Sequence, residues 1–240
     1  NSDITLAQLD DDNLPDLSVG RIPARTSEQV ATFVTKTLTY EQNPIAGRDH
    51  ILAIADGQDE SFQADAQLFL NNFPETYTPI VYAPPKGETT APGQISEILA
   101  EGVLFMSYFG HGSITMLGKD RIFAVEDGYA LSNRANLPVM LNITCLAGLF
   151  THPEVESLTE AMLWNPNGGA VAALSATSLT VPSDQAYLTN AFVEAYLENP
   201  DASLGQVLLA AQRRIPVEKE GVREVMETFL LFGDPALKLP

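Results

Sequence analysis

The stretch GVLFMSYFGHGS, residues 102–113, is an apolar run that stops at a histidine held between two glycines. It lacks inside/outside alternation, the pattern of a strand whose two faces are both covered by helices. Further apolar, β-rich runs follow the same plan: HILAIAD (50–56), TPIVYA (78–83), LPVMLNITC (137–145) and GAVAALSA (169–176). Helical patterns separate these runs, so the chain reads as α/β, a layered fold with a mainly parallel sheet.

The helices announce their starts. Thr26 with Gln29 forms a capping-box pattern ahead of Val30, Phe33, Val34 and Leu38. Ser157 with Glu160 precedes Met162 and Leu163, and Ser203 with Gln206 precedes Val207, Leu208 and Ala211. Further helices are expected at 61–72, 92–101 and 184–198, and PPKGETTAPG (84–93) reads as a turn-rich loop. No internal repeat, low-complexity segment or linker interrupts the pattern. Residues 1–240 are expected to form one domain, continuous from about residue 18.

Composition narrows the partners. With 240 residues and 45% hydrophobic content, the chain has enough apolar surface for a full core. Thirteen basic against 31 acidic residues give a net charge of −18, which opposes nucleic-acid backbones and anionic membranes. No run approaches the roughly 18–20 apolar residues of a membrane span, and no charged start leads into a signal-peptide core. The polar opening NSDITLAQLDDDNLPD reads as a processed or excised piece of a longer protein, with other domains of the parent chain as expected neighbours. A single cysteine, Cys145, leaves no disulfide framework and no multi-cysteine zinc site.

In sheets of this kind, reactive groups collect at the carboxyl ends of the strands. Gly110, His111, Gly112 and Ser113 follow the run at 102–109, and Cys145 follows the run at 138–144. These are equivalent places on two successive strands. A cysteine nucleophile needs a base beside it, and the base later protonates the leaving amine; histidine does both near neutral pH. Glycines around the histidine leave room for an extended peptide, and the Gly112 and Cys145 N–H groups are candidates for an oxyanion hole. Taken singly, Cys145 reads equally as a small core residue and His111 as a turn cap. Other motifs fail: GHGSITMLGKD has the wrong glycine spacing and an aspartate after Lys119 where a phosphate loop needs Ser or Thr. No H-E-x-x-H, C-x-x-C or G-x-S-x-G occurs.

YFGHGS (108–113), LPVMLNITCLAGLF (137–150), ESLTEAML (156–163), NGGAVAALSAT (167–177) and LFGDPALKL (231–239) occur in that order. Together with PDLSVGRIPARTSEQV (15–30), they resemble the gingipain-type cysteine peptidases of the caspase and legumain clan. The resemblance implies a caspase-like αβα sandwich and a cysteine-type endopeptidase working through an acyl-enzyme. In it His111 is the general base and acid, Cys145 the nucleophile, and Gly112 and Cys145 the oxyanion donors. Asp56, after ILAIA, falls where the family places an acid that orients the histidine; it also reads as a helix cap. Ser61 falls where arginine-selective members carry a pocket aspartate, with Asp59 and Glu60 adjacent. The loop SATSLTVPSDQ (175–185), with Thr180 and Val181, matches the pocket wall without those members' tryptophan.

The resemblance further implies protein or peptide substrates, a secreted or cell-surface setting, no cofactor in catalysis and structural calcium. The carboxylates of LDDDNLPD (9–16) could hold that calcium, but the run lacks the glycine and terminal glutamate of an EF-hand loop and reads equally as a solvated acidic segment. Of the remaining histidines, His50 reads as a strand entry and His152 as a loop residue. Two other readings share the same residues: a sortase-like transpeptidase, and a catalytically silent adhesion or assembly module of a surface protein.

Overall fold

The computed structural model describes residues 2–43 and 45–239. Its core is a six-stranded sheet: β1 (His50–Ala55), β2 (Thr78–Tyr82), β3 (Phe105–Phe109), β6 (Val139–Ile143), β7 (Ala172–Ala176) and β8 (Phe229–Phe232). The strand order is β2-β1-β3-β6-β7-β8. Five strands run parallel, and β8 lies antiparallel on β7. The remaining strands, β4 (Met116–Leu117) and β5 (Phe123–Ala124), form a small hairpin just after β3.

Among the described residues, eight α-helices flank or link these strands. They are α1 (Ser27–Gln42), α2 (Glu60–Asn71), α3 (Ala91–Glu101), α4 (Val125–Ala130), α5 (Leu158–Trp164), α6 (Pro182–Glu198), α7 (Leu204–Gln212) and α8 (Glu220–Thr228). The unalternating strands are buried on both faces because successive side chains enter two different cores. Ile51, Ala53, Phe105, Phe109, Leu141 and Ile143 pack under α2, α6, α7 and α8. Leu52, Ile54, Met106, Tyr108 and Met140 pack against α3, α5 and Phe33 of α1. The three-layer α/β architecture with a mainly parallel sheet is therefore the one expected.

All three capping boxes are formed, at Thr26/Gln29, Ser157/Glu160 and Ser203/Gln206. On α1 the apolar reading holds only for Phe33: Val30, Val34 and Leu38 are exposed. Lys36 takes the inner face instead, its Nζ donating to the carbonyl oxygens of Met162 (2.8 Å) and Leu163 (3.1 Å) at the end of α5. Burial holds this ammonium down at a pKa of about 7. The strand β8 is an addition to the sequence reading. No Gly or Pro separates it from α8, and Phe229 closes the helix while opening the strand.

Residues 18–22 cover the outer side of β8. Arg21 N–H donates to Leu231 O (2.8 Å) and Gly233 N–H to Arg21 O (3.0 Å). The Arg21 guanidinium pairs with Asp3 and lies 4.6 Å from the Phe150 ring centroid. No helix among the described residues is long and apolar enough to cross a membrane.

Candidate active site

Parallel pairing sets the level at which each strand stops. Phe109 of β3 and Ile143 of β6 are the last pair of that ladder, directly opposite each other. His111 and Cys145 each stand two residues beyond it, on strands spaced about 4.8 Å apart. On the other side of β3, Ala55 pairs with Phe109, so Asp56 leaves β1 beside Gly110. Three of the residues singled out in the sequence thus emerge from three adjacent strands.

The loop carrying His111 is fixed through its main chain. Asp56 is buried, and its Oδ1 accepts from Gln58 N–H (3.0 Å) while Oδ2 accepts from His111 N–H (3.2 Å). The His111 carbonyl oxygen accepts from the Tyr108 hydroxyl (2.7 Å) and from Gly118 N–H (2.8 Å). Thr144 Oγ1 donates to Gly110 O (2.7 Å), tying this loop to the strand of Cys145. The imidazole is exposed, has no hydrogen bond among the described residues, and meets the Phe62 ring edge to face at 5.3 Å. Asp56 therefore grips the backbone of the histidine and not its ring. The carboxylate whose charge senses the ring is Asp59, the N-cap of α2. Hydrogen bonding from Ser61 holds its pKa below the usual range, and His111 contributes in the same direction.

Gly112 lies directly against the cysteine loop. A Cβ there would stand 2.4 Å from Thr144 Oγ1 and 2.9 Å from Cys145 O. In the bridge between Gly112 and Leu117, the bonds are made by the neighbours, Gly118 N–H to His111 O and Ser113 N–H to Met116 O. The N–H groups of Gly112 and Cys145 consequently have no acceptor among the described residues.

Cys145 is half-buried, and its thiol faces the loop after β7. Sγ lies 3.4 Å from Thr180 O as donor and 3.5 Å from Thr180 N as acceptor. Gln185, buried on α6, holds Thr180 by donating Nε2–H to its Oγ1 (2.8 Å). The chain turns sharply after the cysteine: Leu146 adopts a left-handed φ of 60° and donates to Ser178 O (3.2 Å). The first turn of α5 binds both loops together. Leu158 N–H donates to Ile114 O (2.8 Å) and Thr159 N–H to Ala147 O (3.1 Å).

Beside these loops a pocket opens between α2 and α6, lined by Phe62, Asp65, Phe69, Phe109, Gly110 and Gln185 among others. Burial, with the Asp59 charge adding to it, raises the pKa of Asp65. Ser61 is not in this lining; it sits exposed in the first turn of α2, with its N–H donating to Asp59 Oδ1 (2.8 Å). Thr180 contacts the thiol, and Val181 is the exposed residue that precedes α6; neither lines the pocket. Asp65 was not singled out in the sequence. Its signal is helical spacing, since it lies three residues after Phe62 and four before Phe69, an acid on the inward face of α2.

The other sequence candidates lie apart. His50 opens β1, and His152 Nδ1 accepts from Glu154 and Val155 N–H in a local turn. In the run 9–16, Asp10, Asp12 and Asp16 accept from the N–H groups of Asp12, Leu14 and Leu9. These carboxylates each hold their own main chain in local turns. No group of three or more His, Cys, Asp or Glu among the described residues is arranged to hold a metal ion.

Comparison with known proteins gives the chain its relatives. The chain is 24% identical to gingipain R2 of Porphyromonas gingivalis over 94% of its length, and equally to gingipain R1. It spans about a third of the first relative (33%) and a quarter of the second (24%). Among solved structures, the Arg-specific cysteine proteinase gingipain R superposes with a TM-score of 0.82 at 22% identity, covering 99% of this chain and 59% of that one. A complex of the pro- and mature domains of a P. gingivalis gingipain gives the same TM-score at 22% identity and covers 99% and 60%. The fold is the caspase-like one of gingipain. A family model for peptidase family C25 matches residues 1–240, and the chain belongs to that family.

Proposed function

We propose that the protein is a cysteine endopeptidase with Cys145 as nucleophile and His111 as general base and acid. The observation that carries this reading is the shared level of Phe109 and Ile143, which brings both residues off adjacent strands two positions later. The thiol proton passes to the imidazole as Sγ bonds to the carbonyl carbon of the scissile peptide. The oxyanion that forms takes hydrogen bonds from the Gly112 and Cys145 N–H groups, which are unspent in the resting protein. Collapse breaks the C–N bond, the imidazolium protonates the departing amine, and an acyl-enzyme remains. Water, deprotonated by His111, then releases the acid and restores the thiol. Asp56 serves by holding His111 in place.

The pocket supports a substrate class. Its apolar walls and single carboxylate, Asp65, suit a long aliphatic side chain that ends in a cation. A protein of the same fold is described as an Arg-specific cysteine proteinase. Protein substrates, a secreted or cell-surface setting and attachment to other domains complete the proposal.

A peptide-library digest tests it. Wild-type protein is expected to cleave after basic residues, Cys145→Ala and His111→Ala to lose at least 1,000-fold in kcat/KM, and Asp65→Asn to lose about 10- to 100-fold on basic substrates alone. No cleavage by wild type, or cleavage untouched by Cys145→Ala, rejects the peptidase reading. Transfer of the acyl group to added amines in preference to water would make the protein a transpeptidase instead.

A further inference from the structure

We propose that Tyr108 is a positioning residue for His111, acting from inside the sheet; the inference rests on the peptidase reading for its kinetic consequence but not for its geometry. Tyr108 lies in the middle layer of the protein, paired with Ile54 on one side and Asn142 on the other. Its ring is fully buried against Leu52, Ile54, Met106 and Met140. A phenol placed there requires a polar partner, because a buried hydroxyl without one is costly.

That partner is the histidine's own main chain. The Tyr108 hydroxyl is 2.7 Å from His111 O and 3.4 Å from Asp56 Oδ2, and the same Oδ2 accepts His111 N–H at 3.2 Å. Both peptide groups of His111 are thereby held, the N–H by Asp56 and the carbonyl by Tyr108. Gly110 closes the arrangement: a Cβ at that position would lie 2.3 Å from Asp56 Cβ and 2.5 Å from the Tyr108 hydroxyl. The imidazole has no hydrogen bond of its own among the described residues, so its place relative to Cys145 is inherited from the backbone that carries it. Burial and the neighbouring Asp56 charge both raise the Tyr108 pKa, so the hydroxyl remains a donor throughout the working pH range.

The test is Tyr108→Phe, which keeps the ring and deletes one oxygen. Two measurements are made on full-length protein. The first is steady-state kinetics normalised to active sites titrated with an acylating inhibitor. A kcat about tenfold lower with KM unchanged is expected, and a kcat within twofold of wild type overturns the proposal. The second does not depend on turnover. In histidine-labelled protein, the ring signals of His111, identified by their loss in His111→Ala, should shift or broaden in Tyr108→Phe while those of His50 and His152 stay in place. Unchanged His111 signals overturn the proposal even if no variant cleaves peptide. If the His111 signals shift in Tyr108→Phe but wild-type protein shows no Cys145-dependent turnover, the peptidase reading is rejected and the positioning role stands.

Discussion

Gly112 shows how little freedom the loops carrying His111 and Cys145 have. Its missing side chain is filled by Thr144 and by the carbonyl of Cys145, and backbone atoms cannot swing aside as a flexible side chain would. Gly112→Ala is therefore expected to cost about 1–3 kcal/mol, read as a lower urea midpoint. It should also slow alkylation of Cys145 by an iodoacetamide-type reagent, because the two loops must separate. His111, Gly112 and Cys145 were legible in the sequence because glycines and strand ends are local signals. The contact of Thr180 with the thiol was not, since it joins a peptide group to a side chain 35 positions away. Asp56 was legible as an acid near the histidine, but its target was not: a sequence does not distinguish a carboxylate that meets a ring from one that meets a main-chain N–H.

The helices divide along the same line. Capping boxes are written in four consecutive residues and all three formed. Which face of α1 points inward depends on tertiary neighbours, and there Lys36 displaced Val30, Val34 and Leu38 by capping the carbonyl end of α5. That placement has a pH signature. The folded-state pKa is about 7 against an ordinary 10.5, so between these values the unfolded chain binds more protons. Stability should climb with pH across that window by up to about 1.4 kcal/mol per unit, while below pH 7 the contribution is flat, with the full burial penalty present. Chemical denaturation from pH 6 to 10 should show a shallower rise in Lys36→Met than in wild type. Parallel slopes for the two proteins would mean that Lys36 titrates normally. The strand β8 escaped notice for a different reason, because the chain passes from helix to strand without any of the residues that ordinarily mark a boundary.

The fold class was readable because hydrophobic runs of this length and spacing admit few alternatives, and the net charge of −18 bears on behaviour beyond the fold. Self-repulsion of that size weakens the compact state, so raising NaCl from 10 mM to 0.5 M should increase the thermal midpoint. The same field draws cations, and kcat/KM for a basic peptide should fall with added salt while that for a neutral analogue stays level. The matched ends of β3 and β6 carry a last implication. The spacing of His111 and Cys145 is set by two parallel backbones stopping at one rung, so a change in the length of either loop moves one residue relative to the other. Deleting one residue between Phe109 and His111, or between Ile143 and Cys145, would retract that half by about 3.3 Å and turn its side chain to the opposite face. A single-codon deletion in either loop would therefore undo the pairing of His111 with Cys145 in one step.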